Sequence, residues 1–258
     1  MPRYRTLDAD KIIKTVETLR LRIEDRFPES GLAGVCRALF DTAQAGKVRS
    51  KALAAPHIAL RVLITAIILL GVFVFVYIGT FVNFSKITTE AFGLVQGLEA
   101  ALNSTILAVL GVLFLVKLEE RLKRRRALHD LHELRSIVHV IDMHQLTKDP
   151  SVTLAGAAPT AHSPVRTMTD HELTRYLDYC TEMLSLTGKV AALYAQHFRD
   201  PVVVTAVNDI EDLSTHLARK IWQKIMILHR MTEDDDGGAT HRRAGARADA
   251  DPLPERHP

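Results

Sequence analysis

The stretch VLITAIILLGVFVFVYIGTFV, from Val62 to Val82, carries no charged side chain in 21 residues. The apolar core of a bilayer is about 30 Å thick, so a helix needs about 20 such residues to cross it. A buried helix of a globular protein is rarely apolar on every face over that length. We therefore predict a transmembrane helix over about residues 60–82, with Arg61 at its entrance, where a long side chain can reach the lipid headgroups.

A second uncharged run extends from Ala100 to Val116 and is weaker than the first. Its 17 residues are bounded by charged ones and are near the lower limit for a spanning helix. We place the membrane part of this helix at about 97–117. Together the two runs predict a two-helix transmembrane hairpin over residues 57–117.

Lysine and arginine are concentrated outside the two runs, and only Lys86 lies between them. Because positive charge marks the cytoplasmic side of a membrane protein, we expect both termini in the cytoplasm and a short loop outside. The chain would then be a multi-pass protein of the cytoplasmic (inner) membrane. We interpret the flanking basic residues as topology anchors that bind membrane lipid, namely Arg61, Lys117, Arg121, Lys123, Arg124, Arg125 and Arg126.

The composition of the whole chain conceals these segments. The 258 residues are 47% hydrophobic and 24% charged, with a mean hydropathy of +0.06. Such values exclude a collagen-like, disulfide-rich or wholly disordered chain. The net charge is only +3, so we expect no nucleic-acid binding. Two cysteines, Cys36 and Cys180, both in segments that we place in the cytosol, argue against structural disulfides.

Apolar residues recur at helical spacing on both sides of the hairpin. Residues 1–56 predict two amphipathic cytosolic helices, at about 8–27 and 31–46, with Pro28 between them. Residues 118–146 contain no glycine or proline and predict a helix that continues the second span into the cytosol. The apolar stripe of this helix consists of Leu131, Leu134, Val138 and Ile141.

The remaining sequence divides into three segments. Residues 147–168 are rich in Ala, Pro, Ser and Thr, a composition typical of a flexible linker. Residues 169–231 have strong helical periodicity interrupted by Pro201, which predicts an antiparallel helical hairpin. Residues 232–258 show no periodicity and are predicted to be disordered.

Capping signals support the two helices of this last hairpin. Thr169 and Glu172 have the spacing of a capping box at the start of the first helix. Asp200 followed by Pro201 fits the cap and first residue of the second helix. These two helices and residues 118–146 can close a three-helix bundle, so the predicted fold class is an all-α membrane protein with a cytosolic helical bundle.

Helical histidines suggest a metal site as one functional hypothesis. Side chains three or four residues apart on a helix lie on one face and can share an ion. The groups with this spacing are His129, His132 and Glu133; His139 and Asp142; and Asp212 and His216. A bundle that brought the last pair to the histidines of 118–146 would form a carboxylate–histidine site for a divalent metal. The alternative is salt bridges and solvated histidines, and we predict no other cofactor.

Polar residues near the outer end of the second span suggest a pore as another hypothesis. Gln96, Glu99 and Asn103 recur at helical spacing, and an ionisable group at membrane depth usually faces protein or water. Gly93 and Gly97 lie on the neighbouring face, where they would allow close helix packing. Two spans cannot enclose a channel, so a pore would require several copies of the chain.

These observations favour a non-enzymatic role. We expect a bacterial two-span inner-membrane protein, a homo-oligomeric scaffold or sensor-effector whose bundle binds itself or a cytosolic protein partner. The bacterial assignment rests on the lack of eukaryotic sorting signals and on an Arg- and Ala-rich tail. The layout resembles that of bacterial two-span effector domains of conflict systems, a likeness of architecture alone. The alternatives are an oligomeric ion channel with Glu99 at its outer mouth, and a metal-dependent enzyme or sensor.

Overall fold

The computed structural model describes residues 6–55, 58–81, 91–148, 162 and 167–248. Within these residues the chain forms six α-helices and no strand, which confirms the predicted all-α class. The helices are α1 (Ala9–Arg26), α2 (Gly31–Ala54), α3 (Ile58–Phe81), α4 (Ala91–Leu146), α5 (Asp170–His197) and α6 (Pro201–Ala248).

Local capping explains where several helices begin. The Ser30 hydroxyl accepts from the Ala33 amide at 3.2 Å and caps α2. Thr169 and Glu172 form the predicted capping box at the start of α5, with reciprocal hydrogen bonds of 2.8 and 3.3 Å. Asp200 caps α6 by accepting from the amides of the two residues after Pro201. Each cap satisfies amide groups that have no partner within their own helix.

One apolar core unites α1, α2, α5, α6 and the second half of α4. The predicted stripe of α4 lies in it, and its four side chains are at most 2% exposed. The core is wider than the predicted three-helix bundle, because α1 and α2 also enter it. Periodicity shows that a helix has a buried face, but it does not say which helices cover that face. The N-terminal core residues include Val16, Leu19, Ile23, Leu32, Cys36 and Leu39.

Two helices extend past their predicted ends. α2 continues eight residues beyond 46 to Ala54, because the next helix-breaking residue is Pro56. α6 continues to Ala248, into the segment predicted to be disordered. No proline interrupts that segment before Pro252, so no residue sterically ends the helix, although Gly237 and Gly238 within it have low helix propensity. Most of the predicted linker (149–161 and 163–166) and residues 249–258 lie outside the described residues.

The apolar helices lie apart from this core. α3 contacts α4, and the described apolar side chains of α3 and of the first half of α4 are mostly exposed. Among the described residues, one helix segment is long and apolar enough to cross a membrane, beginning at Val95 within α4. A shorter apolar segment covers Arg61–Val74 in α3. Residues 82–90, where we predict the outer loop with Lys86, lie outside the described residues.

Candidate functional site

The most informative part of the molecule is the segment Lys117–Glu133 of α4, which we call the junction. On one side of it, Leu113 and Phe114 are 55% and 64% exposed. On the other side, Leu131 and Leu134 are almost completely buried in the bundle. α4 is one unbroken helix of 56 residues, about 84 Å long at 1.5 Å per residue, and passes through both environments.

Arg124 ties the junction to the start of α6. Its guanidinium forms a two-pronged ion pair with Asp200, with nitrogen–oxygen distances of 2.6 to 3.0 Å. Burial of the Asp200 carboxyl raises its pKa, but hydrogen bonds from Arg124 and from the amides of Val203 and Val202 outweigh burial and hold the pKa below its ordinary value. Arg124, which the sequence predicts to be a lipid anchor, thus forms an ion pair within the protein.

Lys123 is also engaged within the protein. Its ammonium lies 3.0 Å from the carboxylate of Glu119, one turn earlier on α4, and both side chains are largely buried. Lys117 pairs with Glu120 at 3.0 Å, in a more exposed position. Arg121, Arg125 and Arg126 are exposed and form no ion pair with a described residue. The predicted basic anchors therefore separate into a paired and an unpaired group.

Asp130 is a buried carboxylate that joins three helices, and sequence reasoning missed it. It accepts from Arg49 of α2 at 2.8 Å and from the Tyr194 hydroxyl of α5 at 3.1 Å. Burial, then the charge of Asp130, raises the pKa of Tyr194. Arg49 also reaches Glu133 at 3.3 Å. An acidic residue between Ala127 and Leu134 on the apolar stripe is the sequence signal that could have indicated a buried partner.

Gly46 of α2 allows the close approach that this cluster requires. A Cβ atom at this position would lie 3.3 Å from the Tyr194 hydroxyl oxygen, tighter than ordinary contact. The glycine therefore lets α2 pack closely against α5 beside the Tyr194–Asp130 hydrogen bond.

A basic cleft of about 520 Å³ opens at the junction between α2 and α4. We call it the junction cleft. Four of its lining residues carry positive charge and one, Asp130, is acidic. The complete lining is Arg49, Ala52, Leu53, Lys123, Arg125, Arg126, His129 and Asp130. Three predicted lipid anchors thus share one concave surface, whereas Arg61, Lys117, Arg121 and Arg124 do not line it.

The structure does not assemble the hypothesised metal site. Among the described residues, no group of three His, Cys, Asp or Glu side chains is placed to hold an ion. His129 pairs with Glu133 at 3.6 Å, while His132 and His139 are exposed. The other candidates bind locally: Asp142 accepts from the Gln145 amide at 2.6 Å, and His216 Nδ1 lies 2.7 Å from the backbone oxygen of Asp212. The bundle buries the apolar stripes of its helices, and the candidate histidines lie outside this core on the surface.

The residues of the pore hypothesis lie on the exposed half of α4. Gln96, Glu99 and Asn103 are all exposed in the single chain. No described residue outside the helix's own backbone and the adjacent positions lies within 4 Å of a Cβ built at Gly93 or Gly97. The packing face and the polar face are therefore both open in one copy, and the pore stays a prediction.

The two cysteines are poor candidates for covalent chemistry. Both are buried and unpaired, and burial raises the pKa of each thiol to about 12. A thiol with so high a pKa stays protonated near neutral pH and is a weak nucleophile.

No protein-family model, no curated protein and no solved structure matches this chain.

Proposed function

We propose that the chain is a non-enzymatic scaffold or sensor-effector that crosses the bacterial inner membrane twice and holds its helical bundle in the cytoplasm. The observation that carries the proposal is the contrast along α4. The same helix exposes Leu107, Leu110 and Phe114 and then buries Leu131 and Leu134. A soluble monomer rarely exposes an apolar surface of this extent, whereas a bilayer would cover it.

The exposed apolar surface supports two spans. α3 contacts α4, and α3 and the first half of α4 expose large apolar side chains, such as Phe73 and Leu107, to more than half of their full area. The basic residues cluster at the bundle end of both helices and would lie on the cytoplasmic side. In this arrangement both termini and the bundle lie in the cytoplasm.

The junction supports a mechanical link between the membrane and the bundle. α4 crosses it without a break, and two polar connections fix the neighbouring helices to it: Arg124–Asp200 for α6 and Arg49–Asp130–Tyr194 for α2 and α5. A shift or rotation of α4 would therefore act directly on α2, α5 and α6. This is the geometry that a sensor-effector requires.

The outer face of α5 and α6 supports binding of a second copy or a cytosolic protein. A groove of about 880 Å³ runs between the two helices, and Trp222 stands at its edge with 58% of its surface exposed. Ser214 lies in the groove with a buried hydroxyl that has no partner among the described residues. Exposed tryptophan is enriched at protein interfaces.

A second candidate function, an oligomeric ion channel, is favoured by the open faces of α4 around Glu99. The exposed carboxylate and the open surface at Gly97 would let copies pack through the glycines and turn Glu99 toward a shared axis. Planar-bilayer recording of the wild type and Glu99→Gln tests it. Cation current that Glu99→Gln weakens would support a channel, and no current in either protein would contradict it.

Labelling with a membrane-impermeant maleimide tests the proposed topology. In a Cys36→Ala/Cys180→Ala background, Lys86→Cys reports the predicted outer loop and Ser136→Cys the exposed face of α4 in the bundle. In intact spheroplasts we expect Lys86→Cys to label at once and Ser136→Cys to label only after lysis. The reverse pattern would invert the topology. Release of the protein by alkaline carbonate would contradict membrane insertion.

A further inference from the structure

We propose that the junction cleft binds the phosphate headgroup of one anionic membrane phospholipid, with Arg49, Arg125 and Arg126 as its cationic partners. The inference rests on the proposed membrane topology, which places this cleft at the level of the cytoplasmic headgroups. It goes beyond general anchoring, because it assigns one lipid to one concave site.

Two cations of the cleft, Arg125 and Arg126, and the remaining N–H groups of Arg49 can bind an anion. Arg125 and Arg126 line it, are exposed, and form no ion pair with a described residue. Arg49 contacts both Asp130 and Glu133 through Nη1 alone, so Nε and Nη2 have no partner among the described residues. Asp130, the one acidic lining group, is already satisfied by Arg49 and by Tyr194. Guanidinium groups bind phosphate oxygens through paired hydrogen bonds.

The neighbouring basic residues show why the site lies here and not along the whole basic run. Lys123 is largely buried against Glu119, and Arg124 is held by Asp200. Successive helical residues project about 100° apart, so four adjacent cations cannot all face one ligand. The pairing of the first two leaves Arg125 and Arg126 as the cations of this run that have no ion-pair partner among the described residues.

The apolar surroundings favour a lipid over a free phosphate compound. Ala52 and Leu53 of α2 contribute apolar lining to the cleft. Leu122, 40% exposed, lies one turn before Arg125 and Arg126 on α4, in the direction of the exposed apolar half. A phospholipid has a phosphate for the arginines and acyl chains for this surface. Basic pockets beside transmembrane helices on the cytoplasmic side commonly bind such headgroups.

Native mass spectrometry of the full chain in neutral detergent tests the proposal with defined probes. Phosphatidylglycerol, phosphatidylcholine and water-soluble glycerol 3-phosphate are added separately to the wild type. The test variant is Arg125→Gln/Arg126→Gln. The control Lys117→Gln/Arg121→Gln also removes two positive charges from the same helix, at positions outside the cleft.

We expect the wild type to bind one phosphatidylglycerol in preference to phosphatidylcholine. The test variant should lose about tenfold in affinity for it, while the control loses far less. Equal losses in both variants would show diffuse electrostatic attraction and overturn the site. Binding of glycerol 3-phosphate as strong as that of the lipid would overturn the assignment to a lipid.

Carbonate extraction of the same variants separates this inference from the proposed function. If the proteins stay in the membrane fraction but bind no lipid selectively, the cleft assignment fails and the topology stands. If the wild type is extracted as a soluble protein, both fail. Far-UV circular dichroism of each variant checks that the helices remain folded, so that a loss of binding reports on the cleft.

Discussion

The two halves of α4 belong to one continuous helix but have opposite surroundings. From Val95 to Val116 most of the large apolar side chains are exposed, whereas from Ala127 to Ile141 the apolar stripe is buried and the polar residues other than Asp130 lie toward the surface. From Ile106 to Val116 the first half is apolar on all sides, whereas the second half is apolar on one stripe only. The difference teaches that one helix can carry two kinds of surface: under the proposed topology lipid covers the first half, whereas the second half packs in a protein core beside water.

Truncating one leucine in each half sharpens this comparison and has the largest expected effect. Leu134 is completely buried, so Leu134→Ala should lower the free energy of unfolding of the bundle by about 2–5 kcal/mol. Leu113 is 55% exposed, and Leu113→Ala should change the same quantity by less than about 0.5 kcal/mol. Thermal unfolding followed by circular dichroism in detergent measures both. Equal losses would mean that the first half also belongs to the bundle core.

The buried carboxylate of the junction gives the next largest effect. Asp130→Ala removes the acceptor of the Tyr194 hydroxyl and the main partner of Arg49, and should cost about 1–3 kcal/mol of bundle stability. Glu133→Ala is the matched control, because Glu133 contacts the same arginine from a 42% exposed position. Its cost should be below about 1 kcal/mol, as for other surface pairs. Similar costs for the two variants would remove Asp130 as a connection between the helices.

The Arg124–Asp200 pair gives a smaller effect with a defined pH dependence. Asp200→Asn keeps a side-chain oxygen that can cap α6 but removes the charge that Arg124 binds. Since the pKa of Asp200 is lowered in the folded protein, its stabilisation is present above the ordinary carboxyl range and is lost as pH falls through the folded pKa. The difference in melting temperature between wild type and variant should therefore be largest near neutral pH and shrink under acidic conditions. A difference that grows on acidification would contradict the pairing.

The sequence contains enough information for the helices but not for the contacts between distant ones. The stripe Leu131 to Ile141 is visible because helical periodicity is local, and the capping box at Thr169 is visible because it spans four residues. The partners of Asp130 lie 81 and 64 residues away on other helices, and no spacing rule reaches that far. The four basic residues from Lys123 to Arg126 look equivalent in the sequence, yet they project about 100° apart around the helix. Lys123 and Arg124 therefore meet different carboxylates, whereas Arg125 and Arg126 form no ion pair with a described residue.

The central claim is that the first half of α4 lies in lipid and the second half in a bundle surrounded by water. Exposure to oxygen and to a water-soluble reagent along α4 tests this claim most directly. Spin labels are placed one at a time at Leu107, Leu113, Ser136 and Met143, all exposed positions, in a cysteine-free background reconstituted in bilayers. Relaxation by oxygen, which concentrates in lipid, and by a water-soluble nickel complex is then compared. We expect oxygen to dominate at Leu107 and Leu113 and nickel to dominate at Ser136 and Met143, with the change at the junction. Dominant nickel relaxation at all four positions would contradict the account, since both halves of α4 would then lie in water.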